Sequence, residues 1–129
     1  MNAKATASET LWIRAASGLE ILTGGALVFN PSLVARLLFG EGLSPPGPET
    51  GRLAGLALFP LAVGCWPREG SAFGLPGLLL LSVLAAVYLI FHGLGWGVVG
   101  VLLWPAVAAH IVLAILLARA WRESRRAAG

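Results

Sequence analysis

A glutamate stands in the middle of an apolar run that is otherwise long enough to cross a bilayer. The run is Leu11 to Phe29, LWIRAASGLEILTGGALVF. About 19 residues rise roughly 28 Å as an α-helix, close to the hydrocarbon thickness of a membrane. Arg14 lies near one end and can snorkel to the interface. Glu20 falls at the midpoint, where an ionised carboxylate costs several kcal/mol or more unless it is paired or protonated. The rest of the chain must therefore cover this helix and give Glu20 a partner.

The 129-residue chain is 57% hydrophobic and only 12% charged, with a mean hydropathy of +0.83. Ordinary soluble domains carry about 25% charged residues, so the composition reads as one integral membrane domain. The net charge of +3 comes from basic residues that flank apolar segments, as topology signals do, and nucleic acid is set aside as a partner. A single cysteine, Cys65, excludes an intrachain disulfide or a CxxC pair. Lys4 ahead of an apolar stretch resembles a signal peptide, but the charges inside that stretch and its polar leader predict retention.

The hydropathy pattern predicts an all-α, four-helix integral membrane bundle with spans at about 11–29, 50–66, 73–92 and 96–118 and a basic tail over 119–129. Met1 to Thr10 reads as a frayed polar leader, with Ser8 or Thr10 able to cap the first helix. Asn30 and Pro31 open a short segment, SLVARLLFG, that places Leu33, Val34, Leu37 and Leu38 on one face and stops at Gly40. At about two turns it cannot span, and it reads as an interfacial amphipathic helix. Glu41 to Thr50, rich in proline and glycine, is the clearest loop. Pro60 and Pro105 should kink the second and fourth spans. The turn after Trp66 should make the second and third spans antiparallel neighbours, and Gly93 to Gly95 should return the chain into the fourth.

Placing both termini in the cytoplasm puts Lys4, Arg14, Arg68, Arg119, Arg122, Arg125 and Arg126 inside and only Arg36 and Arg52 outside. Trp12, Trp66 and Trp121 then form an inner aromatic belt and Phe29, Phe91 and Trp96 an outer one, with Trp104 left mid-membrane. In this reading the chain is a multi-pass protein of the bacterial inner membrane.

GWGVVG, Gly95 to Gly100, matches a dinucleotide-binding pattern but lacks the preceding strand and the acidic residue that follow-on chemistry needs. Gly51 and Gly55 form a GxxxG, and Gly18 with Gly25 adds a smooth patch at heptad spacing, so these four glycines are expected to pack helices, with a homodimer face as the other use. His92 and His110 raise the question of haem, but helical rise puts His110 about 21 Å deeper than the turn that holds His92, which argues against one shared iron. No spacing suggests another metal site. Glu20, Thr23, Ser82 and His110 all fall within one or two turns of the bilayer centre, so Glu20 and His110 are expected to point inward, with Glu20 either a protonated or hydrogen-bonded packing residue or, sharing a proton or ionising with His110, part of a proton relay or ligand site. Arg14 competes for Glu20, six residues away on a different face. Cys65 reads as buried and inert.

Arg14, Gly18 and Gly25 on the first helix, then Pro31 and LLFG ending at Gly40, then Gly51, Arg52 and Gly55, resemble the DoxX-like family of small four-helix bacterial membrane proteins. The resemblance covers the first half of the chain. It implies a four-helix membrane fold, and for some members of the wider group quinone-linked sulfur oxidation or redox-enzyme maturation. No catalytic residue maps across by motif. With no long soluble loop, no aspartate and one midplane acid, the leading expectation is an accessory protein, in a homo-oligomer or larger complex, that carries no cofactor. The other expectations are a quinone-binding oxidoreductase subunit, with Glu20 and His110 as proton partners and Trp104 as a stacking wall, and a small proton-coupled transporter.

Overall fold

The computed structural model describes residues 7–68, 74–95 and 98–128. Among them the chain forms five helices: α1 (Ala7–Phe29), α2 (Pro31–Phe39), α3 (Gly47–Gly64), α4 (Leu75–Gly95) and α5 (Leu103–Ala128). Three of these, α1, α4 and α5 as far as Arg126, are long and apolar enough to cross a membrane. α3 does not reach that apolarity, because its first turns carry Gly47, Pro48, Glu49, Thr50 and Arg52.

α1 starts earlier than the apolar run, so Ser8 and Thr10 lie within the helix instead of capping it. Its inward stripe is Glu9, Ile13, Ala16, Ser17, Glu20 and Gly24, spaced by three and four residues as one helical face requires. Glu9, at 1% exposure, belongs to this packed face and not to a frayed leader. An acid in the first turn also complements the positive end of the helix dipole.

α2 is bracketed as the sequence suggests. The Asn30 side chain accepts from the Leu33 N–H at 3.1 Å, Pro31 opens the helix, and Gly40 closes it at φ 81°, where a side chain would be strained. Its buried residues are Pro31 and Ala35, whereas Leu33 is exposed. Asn30→Ala should cost about 1 kcal/mol by leaving the Leu33 N–H without its acceptor. The midpoint of thermal unfolding in detergent checks this, and an unchanged midpoint would deny the cap its role.

The approach to α5 departs from expectation. α4 continues through Gly93 and Gly95 with no tight return there, and α5 begins at Leu103 instead of near Trp96, which lies outside the described residues. Between them the backbone pairs with the end of α2. Gly100 N–H donates to the Leu38 carbonyl at 3.0 Å and Leu102 N–H to the Leu37 carbonyl at 2.8 Å. These two carbonyls, orphaned at a helix C-terminus, thereby find donors. A Cβ on Gly100 would run into the Leu37 carbonyl, so only glycine allows this approach. Pro105 consequently sits in the first turn of α5, where a missing N–H removes no helical bond, and the expected kink has no cause there. Pro60 does lie inside α3.

α3 lies along α1, α4 lies along α5, and α1 also touches α5 and α4. α3 and α4 are neighbours, as expected, but do not pack closely along their length. A crevice of about 220 Å³, lined by Leu58, Leu61, Cys65, Gly77 and Leu81 among others, separates them. The glycines divide differently from the sequence pattern as well. Gly55 packs on α1, where a Cβ would lie 2.6 Å from the Gly24 carbonyl oxygen, and Gly24 is the matching close point on α1. Gly18 and Gly25 have nothing within 4 Å of a Cβ, and Gly51 seats against Pro31 of α2. Heptad spacing picked the wrong face of α1, since the crossing falls at the residue beside Gly25.

Candidate functional site

Two apolar clusters lie along α4 and α5, the first of them shared with α1. One contains Ile13, Ala16, Leu75, Leu78, Leu113 and Leu117. The other contains Leu89, Leu103 and Val107. Four polar residues, Ser17 and Glu20 on α1, Ser82 on α4 and His110 on α5, follow the first cluster along their helices. Ser17, Glu20 and Ser82 are 0%, 4% and 2% exposed. The antiparallel run of α4 and α5 brings their polar residues to one level, because Leu78 and Leu113 meet below that level while Leu89 and Leu103 meet above it.

The Glu20 Oε1 and His110 Nδ1 atoms are 3.9 Å apart, with both side chains largely buried. That separation is an electrostatic contact, longer than a direct hydrogen bond. His110 Nδ1 and Ser17 Oγ are buried with no hydrogen-bond partner. An acid and an imidazole in contact can hold one proton between them or ionise together, and either arrangement lowers the cost of burial.

The other expected participants are placed differently. Thr23 donates its hydroxyl to the Leu19 carbonyl of its own helix at 2.9 Å and lines two crevices, of about 380 and 610 Å³, that also share Val34 and Leu38 of α2. Arg14 is exposed on another face of α1 and does not join Glu20. Trp104 stands in the first turn of α5, half exposed, its ring against Gly93 and six residues from His110. It lines neither crevice. His92, in the last turn of α4, packs edge-on against Phe39 with ring centroids 4.5 Å apart, while His110 faces Glu20. Among the described residues no group of three or more His, Cys, Asp or Glu is placed to hold a metal ion.

Sequence reasoning missed Ser17 and Glu9. Both could have been found by projecting the Glu20 face backwards in steps of three and four along α1, which passes through Ser17 and Ile13 to Glu9. Compared with protein-family models, curated proteins and solved structures, the chain matches none of them.

Proposed function

We propose that the chain is a small four-span protein of the bacterial inner membrane, DoxX-like in kind, with both termini cytoplasmic, serving as an accessory component of a membrane complex. The observation that carries this reading is the apolar exterior of the helices. Leu53, Leu56, Phe59, Leu61 and Val63 of α3 are exposed, as are Leu80, Leu84 and Val87 of α4 and Ile111 and Ile115 of α5, while Glu20, Ser17 and Ser82 are inside. Such an arrangement inverts the pattern of a soluble domain and suits lipid as the solvent. α3 is counted as the fourth span because it lies along α1 through the close contact at Gly24 and Gly55, the kind of small-residue approach that joins helices in lipid. α2 then lies at the outer interface.

Reporter fusions test the topology. A fluorescent protein fused after Arg126 should glow, and alkaline phosphatase inserted between Gly42 and Pro45 should be active. An active phosphatase at the carboxyl end would overturn the arrangement. Crosslinking in native membranes should recover the chain in a larger assembly, and recovery as a monomer at every reagent concentration would remove the accessory reading.

The contact between Glu20 and His110 favours a second reading, a quinone-binding subunit of a membrane oxidoreductase in which the pair accepts and returns the quinol protons. Lipid extracted from the purified protein should contain quinone in near-stoichiometric amount, and quinone-free extracts of active preparations would exclude it.

A further inference from the structure

We infer that the outward face of α5 binds an anionic phospholipid of the bilayer, its acyl chains lying along Ile111 and Ile115 and its phosphate held among Arg119, Arg122 and Arg126. The inference rests on the membrane-spanning reading above and adds to it a ligand class and a place.

The face is one continuous strip. Ile111, Ile115, Arg119, Arg122 and Arg126 follow one another at steps of four, four, three and four residues, the spacing that keeps side chains on one side of a helix. Val112 lies beside them, and all six residues are exposed. Leu113, Leu117 and Ala120, on the opposite side, are buried against α1 and α4, so the strip is turned away from the bundle. α5 runs without a break to Ala128, which carries the arginines at fixed depth below the isoleucines. Ile111 and Arg122 stand about 16 Å apart along the axis. One leaflet holds roughly 15 Å of hydrocarbon, so chains beside the isoleucines place a headgroup beside the arginines.

Charge selects the headgroup. Among the described residues, the exposed charges at this end are Arg14, Arg68, Arg119, Arg122, Arg125 and Arg126 against Glu123 alone, whereas at the α2 end Arg36 and Arg52 stand with Glu41 and Glu49. None of the α5 arginines is held in an ion pair among these residues. Arg125 lies to the side of the strip, its guanidinium 5.6 Å from the Trp121 ring, and that half-exposed indole suits the headgroup level. Phosphate oxygens match the forked donors of a guanidinium. A zwitterionic lipid brings its own ammonium into the same group of cations and is repelled.

The full chain, purified and delipidated in non-ionic detergent, is titrated with phosphatidylglycerol and with phosphatidylcholine of identical chains, and native mass spectrometry counts the bound lipids. The first should bind about tenfold more tightly. Replacing all three residues, Arg119→Gln, Arg122→Gln and Arg126→Gln, should bring that ratio below about twofold. Arg14→Gln, at the same end on another helix, should leave it unchanged. Glycerol 3-phosphate, a headgroup without chains, should not displace the lipid at equal concentration. Equal binding of the two lipids, a ratio that survives the triple replacement or falls equally with Arg14→Gln, or displacement by glycerol 3-phosphate would overturn the site. Should the triple variant fail to fold, raising ammonium acetate from about 0.1 M to about 1 M should shrink the wild-type ratio by screening, and a ratio indifferent to salt overturns the site as well. Flotation separates the two failures: a chain that does not float with phospholipid vesicles sinks the membrane reading and this inference together, whereas a floating chain that binds both lipids equally sinks this inference alone.

Discussion

A Gly100→Val chain should lose roughly 3 kcal/mol or more of stability in detergent, the largest effect expected of any single substitution here. The Cβ of any residue at this position would collide with the Leu37 carbonyl and lie 2.6 Å from the carbonyl oxygen of Arg36. These are backbone atoms at the end of a capped helix, so neither can rotate away as a side chain would. Relief requires the 98–102 segment to lift off α2. Lifting breaks the bonds from Gly100 to Leu38 and from Leu102 to Leu37, and a buried carbonyl left without a donor costs about 1–3 kcal/mol. Gly95→Ala, where nothing lies within 4 Å of the added atom, is the control. Unfolding followed by circular dichroism should show a large loss for the first and a small change for the second. Equal midpoints would mean that the join between α2 and the start of α5 contributes nothing.

Gly55→Leu should be nearly as damaging, at about 2–3 kcal/mol, through the contact of α3 with α1. A Cβ there would meet the Gly24 carbonyl oxygen at 2.6 Å and the Leu27 Cβ and Val28 nitrogen at 2.8 Å. α3 buries little else than Gly55 and Ala62, so once the crossing is wedged open little remains to hold it against α1. Gly18→Ala and Gly25→Ala have the opposite expected sign. Each adds a methyl group into open space on a helix, where alanine is favoured over glycine by up to about 1 kcal/mol. The sequence motifs treat Gly18, Gly25, Gly51 and Gly55 alike, and the structure divides them. A stability series in which Gly55→Leu matched Gly25→Ala would refute that division.

What could be read from the sequence was local or additive. Asn30, Pro31 and Gly40 mark the ends of α2 because capping is decided within a few residues. The meeting of Glu20 with His110 followed from helical rise, since depth in a bilayer accumulates by a fixed increment per residue. That arithmetic counted from Trp96, whereas α5 begins at Leu103. Tertiary pairing was not legible. Nothing near Gly100 announces that its partner is Leu38, and the late start of α5 and the relocation of Pro105 both follow from that one contact. The crossing point at Gly24 was hidden for a similar reason, because adjacent glycines on one helix face different neighbours and spacing alone does not say which neighbour arrives.

The dependence of α2 on Gly100 and Leu102 imposes an order on biogenesis. Residues 31–40 leave the ribosome well before the peptide units that complete their hydrogen bonding, and in the interval the carbonyls of Leu37 and Leu38 need water. The end of α2 is therefore completed only when the start of α5 docks on it. A chain that ends at Gly95 would carry α2 with the carbonyls of Leu37 and Leu38 still lacking the donors that Gly100 and Leu102 supply.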